Sequence, residues 1–184
     1  ALNPDLIIAN KEENTKEDIL KLQENYPVYT SDIFTIDESF KMMQNIGTLC
    51  QKETDVQKLI LEIKNSFKLL ENSHNKTVAY VIWQNPIMLA GQNTFIQNML
   101  ALAGFKNAMT DVKSRYPEVS LAELKSLNPD LIFLSSEPFP FKEKHKVEFE
   151  KTTGIKTILA DGEMFSWYGS RMLKFVPYLK SLHF

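Results

Sequence analysis

Apolar side chains recur between residues 35 and 73 with the alternating three- and four-residue spacing of one helix face. Sequences typical of N-terminal capping boxes begin at Thr35 (TIDE) and at Thr54 (TDVQ), and Glu53 interrupts the apolar row. The pattern allows one very long helix or two consecutive helices that are broken near residues 52–54. The row consists of Ile46, Leu49, Val56, Ile60, Ile63, Phe67 and Leu70.

Short apolar runs alternate with helical patterns on both sides of this stretch. The runs are typical of strands, and this alternation predicts parallel sheets with right-handed crossovers. We treat residues 84–91 as a loop, and we expect Pro177 to kink or split the last helix. The predicted strands are 6–9, 27–30, 77–83, 131–134 and 157–160, and the predicted helices are 16–24, 94–103, 120–127, 141–153 and 167–182.

One motif occurs twice. LNPDLII at residues 2–8 returns as LNPDLIF at residues 127–133, on the other side of the long helical stretch. An Asn-Pro-Asp turn that leads into an apolar strand suits any α/β fold, and its repetition favours two similar lobes. The first lobe has only two predicted strands, so we expect it to be incomplete.

Composition excludes several classes of protein. The chain has 184 residues, 43% of them hydrophobic and 24% charged, which is typical of a globular protein with a real core. A net charge of −2 gives no general attraction to nucleic acid or to anionic membranes. Cys50 is the single cysteine, so an internal disulfide is excluded, and we interpret it as a core residue.

Aromatic residues are unusually dense where the predicted strands end, which is where open α/β sheets bind ligands. They predict either the walls of a pocket for a large, flat, partly apolar ligand or a cap on the sheet core. Arg171 lies one helical turn after Trp167 if residues 167–182 are helical. It would meet a ligand carboxylate or phosphate, or pair with Glu163 or Asp161. The aromatic residues are Trp83, Tyr116, Phe139, Phe141, Phe165, Trp167 and Tyr168.

Signatures of catalysis and of metal binding are missing from the sequence. It contains no phosphate-binding glycine loop and no nucleophile elbow. The histidines are scattered, and we interpret His145, with Glu143 and Glu148, as a solvated surface. We therefore predict no catalytic residue and no protein metal site.

Four segments carry a resemblance to a known family: 91–98 (GQNTFIQN), 116–120 (YPEVS), 127–132 (LNPDLI) and 161–171 (DGEMFSWYGSR). In their order and spacing, the chain resembles the helical-backbone (class III) periplasmic substrate-binding proteins of ABC importers. That class includes the vitamin B12-binding and iron-siderophore-binding proteins.

The resemblance implies an α/β fold of two Rossmann-like lobes with parallel sheets, joined by a single long backbone helix. It favours two consecutive helices, and it implies a partial N-terminal lobe at 1–53, a bridging helix at 54–73 and a C-terminal lobe at 74–184. We expect the chain to be a fragment or a processed product without a signal sequence. It should bind ligand weakly or form a dimer in which a second copy completes the N-terminal lobe.

The resemblance also implies site residues. Tyr116 falls where the B12-binding members have a ligand-stacking Trp, and Asn10 falls on an aromatic contact. These differences favour siderophore-like chelates or haem over B12 itself. The family's docking carboxylate falls at Ala122, so either Glu118 or Glu123 substitutes for it, or docking differs. The full set of predicted ligand-binding residues is Asn10, Trp83, Asn85, Tyr116, Glu163, Trp167, Tyr168 and Arg171.

The implied function is that of a periplasmic solute-binding component of an ABC importer. It would capture a metal chelate, cobalamin or a ferric siderophore, and deliver it to a permease and ATPase at the inner membrane. It would need no cofactor, bind no nucleic acid, and lie in the periplasm or be lipid-anchored on the outer face of a membrane. The alternatives are an α/β enzyme domain and a haem-binding or sensor module of the same fold.

Overall fold

The computed structural model describes residues 2–70, 74–110 and 113–184. The chain divides into two compact units, a first that ends at Ile33 and a second that runs from Phe34 to Phe184. The division at 1–53, 54–73 and 74–184 stays a prediction, and residues 71–73 of the predicted bridging helix lie outside the described residues.

The described residues form a mixed α/β structure. Their strands are β1 (Ile7–Asn10), β2 (Val28–Ser31), β3 (Thr77–Trp83), β4 (Ile87–Leu89), β5 (Lys106–Asn107), β6 (Glu118–Val119), β7 (Leu131–Ser135) and β8 (Thr157–Ala160). Their α-helices are α1 (Lys16–Gln23), α2 (Ile36–Leu49), α3 (Glu53–Phe67), α4 (Phe95–Leu102), α5 (Leu121–Ser126), α6 (Glu143–Thr153), α7 (Gly162–Ser166) and α8 (Phe175–Ser181), with a 3-10 helix at Gly169–Lys174.

The first unit is a strand-helix-strand unit, as predicted. Strands β1 and β2 are parallel, with Ile7 opposite Val28 and Asn10 opposite Ser31. Thr15 caps α1 by accepting the main-chain N–H of Asp18, and no residue of α1 is buried. This unit therefore has little core of its own.

The helical stretch is two helices, which confirms the predicted break. The predicted capping box at Thr35 is present, but the one at Thr54 is wrong because α3 begins one residue earlier, after Lys52. The main-chain N–H of Lys52 donates to Gly47 O at 2.7 Å, and Val56 N–H donates back to Lys52 O. This tight connection places Thr54 inside the first turn of α3.

Cys50 is exposed, so its interpretation as a core residue is wrong. It is the C-cap residue of α2, and Leu49 before it is 49% exposed. The buried side of α2 instead carries Phe40, Met43 and Gly47, which repeat at helical spacing. The buried side of α2 therefore ends at Gly47, before Cys50.

The second unit contains a six-stranded sheet in the order β6-β4-β3-β7-β8, with β5 also paired to β3. Strands β3, β5, β7 and β8 are parallel, whereas β4 and β6 are antiparallel, so the expectation of parallel sheets is wrong for this edge. The predicted loop at 84–91 contains β4, which is too short to show a strand periodicity. Every residue of β7 is buried, as expected for the middle of a sheet covered on both faces.

The predicted terminal helix at 167–182 is confirmed only in part, because Gly169–Lys174 is a 3-10 helix and only Phe175–Ser181 is α-helical. Its predicted start is wrong, because α7 ends at Ser166 and the backbone is extended at Trp167 and Tyr168. The 3-10 helix follows, and α8 begins at Phe175. Pro177 lies in the first turn of α8, where main-chain N–H groups have no partner within the helix. The missing N–H of proline therefore costs no helix hydrogen bond, and Pro177 does not break α8.

The repeated motif forms the same local turn in each unit. Asn3 and Asn128 both adopt left-handed φ angles, 44° and 47°, directly before a proline. Asn tolerates this conformation better than most residues do.

No helix of the described segments has both the length and the apolar character needed to cross a membrane.

Candidate functional site

Two tryptophans extend from the carboxyl-terminal edge of the large sheet. Trp83 ends β3 and is 38% exposed, and Trp167 follows α7 and is 49% exposed. Phe141 and Phe165, by contrast, are at most 6% exposed and belong to the core. Phe141 and Phe165 therefore form part of the predicted cap on the sheet core, whereas the role of the exposed tryptophans as pocket walls stays a prediction.

Trp167 lies beside an ion pair. The guanidinium carbon of Arg171 is 5.5 Å from the centroid of a Trp167 ring, within the range of a cation–π contact. The same guanidinium pairs with the carboxylate of Glu163, and about a quarter to a third of each side chain is exposed. The predicted proximity is present, although a 3-10 helix after an extended segment produces it instead of one helical turn. Of the two predicted roles of Arg171, the structure contains the pairing with Glu163.

A glycine lets α7 approach the end of β7. A Cβ at Gly162 would lie 2.5 Å from both Glu137 Cγ and Ser135 Oγ, closer than real contacts allow. The Gly162 N–H donates to Ser136 Oγ at 2.9 Å, and Asp161 caps the helix by accepting the N–H of Glu163. These contacts fix the start of α7, and therefore also the residues at its end.

Glu137 belongs to the same cluster, although sequence reasoning did not select it. Ser166 Oγ donates a hydrogen bond to Glu137 Oε1 at 3.1 Å, directly beside Trp167. The position of Glu137 just after the buried strand β7 was the feature of the sequence that could have identified it. We name the group formed by Glu137, Glu163, Trp167 and Arg171 the Trp167 cluster.

The other predicted aromatic residues form separate contacts. Tyr168 packs edge-on against Phe95 at 5.5 Å between ring centroids. Trp83 packs edge-on against Phe139, also at 5.5 Å, and its Nε1–H donates to the main-chain oxygen of Asn85.

Asn85 lines a shallow pocket of about 140 Å³ that also contains Leu121 and Glu148. Pockets for drug-sized ligands have volumes of roughly 300–1,000 Å³. The pocket at Asn85 is therefore too small to enclose a metal chelate.

Tyr116 lies beside Arg115, and Asn10 belongs to the first unit. The Arg115 guanidinium lies 4.6 Å from the Phe34 ring centroid and 5.6 Å from that of Tyr116. Asn10 ends β1 in the first unit, where its Oδ1 accepts the main-chain N–H of Glu13. Their ligand contacts stay predictions.

The two candidate docking carboxylates differ in what they already bind. Glu123 Oε2 accepts the main-chain N–H of Ser120 at 2.7 Å within a capping box, and this hydrogen bond lowers the pKa of Glu123. Glu118 is exposed in β6.

His145 is buried, so its interpretation as part of a solvated surface is wrong. Its Nδ1 accepts the main-chain N–H of Lys142 at 2.9 Å, and its ring packs against Phe139 and Phe141. In the part of the chain that the structure describes, no group of three or more His, Cys, Asp or Glu side chains could hold a metal ion.

A family model described as "Periplasmic binding protein" matches residues 1–165. The chain belongs to the periplasmic binding protein family. Among curated relatives, the vitamin B12-binding protein of Vibrio campbellii is 23% identical over 140 residues, 73% of this chain and 51% of that protein. The Fe(3+)-citrate-binding protein of Bacillus subtilis is 26% identical over 143 residues, 74% of this chain and 45% of that protein. The chain thus spans about half the length of these relatives.

Solved structures of other binding proteins share the fold. The periplasmic vitamin B12-binding protein of Vibrio cholerae has a TM-score of 0.70 at 20% identity, covering 97% of this chain and 75% of that chain. A periplasmic haem-binding protein in complex with two haems has a TM-score of 0.79 at 18% identity, covering 95% of this chain and 73% of that chain. These comparisons confirm the predicted fold class and the predicted family.

Proposed function

We propose that this periplasmic binding protein captures a metal chelate and delivers it to an ABC importer. The proposal rests on the Trp167 cluster, in which a half-exposed indole lies beside a guanidinium at the carboxyl-terminal edge of the sheet. A flat aromatic face with an adjacent charged group suits a large ligand that is partly apolar. The cargo would be cobalamin, a ferric siderophore or haem.

Family membership supports this class of ligand. The relatives named above are described as binding vitamin B12 or ferric citrate, and one neighbouring structure holds haem. Each of these ligands is a metal held by an organic chelator, so the protein does not have to supply a full set of metal ligands. A chelate-binding role is therefore compatible with the lack of a metal-ligating cluster among the described residues.

The partner in this proposal is a membrane permease with its ATPase. We assign docking to Glu118 in preference to Glu123, because the Glu123 carboxylate already closes a capping box. The protein would act in the periplasm or anchored by lipid on the outer face of a membrane. Completion of the N-terminal lobe by a second copy stays a prediction.

Equilibrium dialysis tests the proposal. The protein is dialysed against cyanocobalamin, haemin, ferric citrate and ferrioxamine B, with free amino acids and sugars as controls, and bound metal is measured by mass spectrometry. We expect saturable binding of at least one chelate at one molecule per chain. Binding of none of the chelates, combined with turnover of a small substrate, would favour the α/β enzyme instead.

A further inference from the structure

Charged groups around Trp167 are unequal in number. The Arg171 guanidinium lies against the ring, Glu163 pairs with that guanidinium, and Glu137 accepts a hydrogen bond from the residue before the tryptophan. At neutral pH these three side chains carry one formal positive charge and two formal negative charges. The Trp167 cluster therefore has an excess of one carboxylate.

The single cation of this cluster is already engaged. Arg171 is paired with Glu163 and only 26% of its side chain is exposed, so a ligand anion would have to displace a carboxylate that belongs to the same chain. Such a competitor is always present at high effective concentration. An incoming anion would also meet the charge of Glu137 without a compensating cation in the cluster.

The indole itself favours the opposite charge. The face of an aromatic ring is electron-rich and attracts cations, Trp most strongly. About half of the Trp167 surface is exposed. A cationic or neutral group can therefore lie against the ring without disturbing the ion pair.

We propose that the part of the ligand that rests on Trp167 is neutral or cationic. This inference rests on the proposed function and narrows the chelates that it allows. It favours neutral cobalamins and ferric hydroxamates with a free amine over haem, which carries two propionates, and over ferric citrate.

A matched series of chelates tests the charge alone. Ferrioxamine B has a free ammonium group, its N-acetyl derivative is neutral at that position, and its N-succinyl derivative is anionic, while the ferric hydroxamate core is the same. Cyanocobalamin and its monocarboxylate form a second pair, and haemin is an anionic reference. Dissociation constants are measured by equilibrium dialysis at low ionic strength, where electrostatic effects are largest. In the series that binds, we expect the anionic member to bind at least about tenfold more weakly than the cationic or neutral member.

Substitutions test whether the difference in affinity between anionic and cationic chelates arises from the Trp167 cluster. Glu163→Gln frees the Arg171 charge and Glu137→Gln removes the second carboxylate, so each should reduce the difference between anionic and cationic members severalfold. Glu62→Gln is the matched control, because it changes the net charge equally on an exposed position of α3. We expect it to leave the difference unchanged.

The outcomes separate the two claims. Equal or tighter binding of the anionic members, or a difference that neither cluster substitution reduces, would overturn the charge inference and leave the chelate-binding proposal standing. Binding of no member of any series would overturn the proposed function and this inference with it.

Discussion

Trp167 is positioned almost entirely through its neighbours. Its main-chain N–H donates to the oxygen of Glu163, the preceding Ser166 is held by Glu137, and Arg171 covers the ring. The close approach of Gly162 to the end of β7 makes the contact between Ser166 and Glu137 possible. The exposed face that we propose as a ligand contact thus depends on residues that need not touch the ligand.

The pH dependence of stability tests the hydrogen bonds that the Glu38 carboxylate accepts. Its pKa is lowered chiefly by the hydrogen bond from the Phe34 main-chain N–H and further by Thr35, against the opposing effect of burial. A lowered pKa in the folded state adds stability above the ordinary value of 4.5, and that stability is lost as the pH falls through the lowered pKa. Glu38→Gln should therefore be less stable than the parent at neutral pH, with a difference that shrinks below about pH 4.

Urea unfolding at several pH values measures this effect. Thr94→Ala is the control, because it removes an uncharged cap at a cost of about 1 kcal/mol from α4, which has no acidic residue in its first turn. Its deficit should vary much less with pH than that of Glu38→Gln. A Glu38→Gln deficit that stays constant from neutral to acidic pH would show that the charge of Glu38 is not what stabilises the cap.

Helices α2 and α3 cross at a glycine. A Cβ at Gly47 would lie 2.9 Å from Val56 Cγ2 and 3.2 Å from Val56 Cβ, and the valine is too stiff to move aside easily. In a helix, Ala is otherwise preferred to Gly by about 1 kcal/mol. The glycine is therefore a requirement of packing and not of helix formation.

Gly47→Ala should consequently destabilise the protein by about 1–3 kcal/mol, the usual cost of overpacking. With Val56→Ala in place, the same substitution should become neutral or stabilising by up to about 1 kcal/mol. A double-mutant cycle of unfolding free energies measures this reversal. If Gly47→Ala has the same effect in both backgrounds, the close crossing does not exist.

Long elements could be predicted from the sequence because their patterns are strong. β3 and β7 are continuous apolar runs, and α2 begins with an unambiguous capping box. The two- and three-residue strands β4, β5 and β6 could not be predicted, since so few residues show no periodicity. The five-residue helix α7 was missed for the same reason, and the terminal helix was predicted to begin at Trp167, where the backbone is in fact extended.

The sequence allowed us to predict which residues lie in the candidate site, but not how they are arranged. Trp167 and Arg171 were selected correctly as neighbours, but through a helical turn that does not exist. Glu137 was overlooked because its role depends on Gly162 bringing β7 and α7 together, a contact between residues distant in the chain.

The two units differ in how much structure they bury. In the first unit, β1 pairs with β2 alone among the described strands, and α1 has no buried residue. In the second unit, β7 is buried throughout and is paired on both sides. Their local stabilities should therefore differ widely.

Hydrogen exchange measured by mass spectrometry checks this expectation. Amides of α1 should exchange fastest among the helices described, and amides of β3 and β7 should exchange slowest, by several orders of magnitude. Equal protection of the two units would mean that residues up to Ile33 are stabilised by contacts beyond those within their own unit.

Chelate binding at Trp167 is the central claim, and the chain's two tryptophans allow a direct test. Trp83→Phe leaves Trp167 as the only tryptophan, and Trp167→Phe leaves Trp83. Each variant is titrated with the chelate that the parent protein binds most tightly, and absorption by the chelate is corrected with free N-acetyltryptophanamide. We predict saturable quenching of Trp167 with the dissociation constant found by dialysis, and quenching of Trp83 over the same concentrations. Unchanged Trp167 fluorescence at concentrations that saturate the protein would contradict the account.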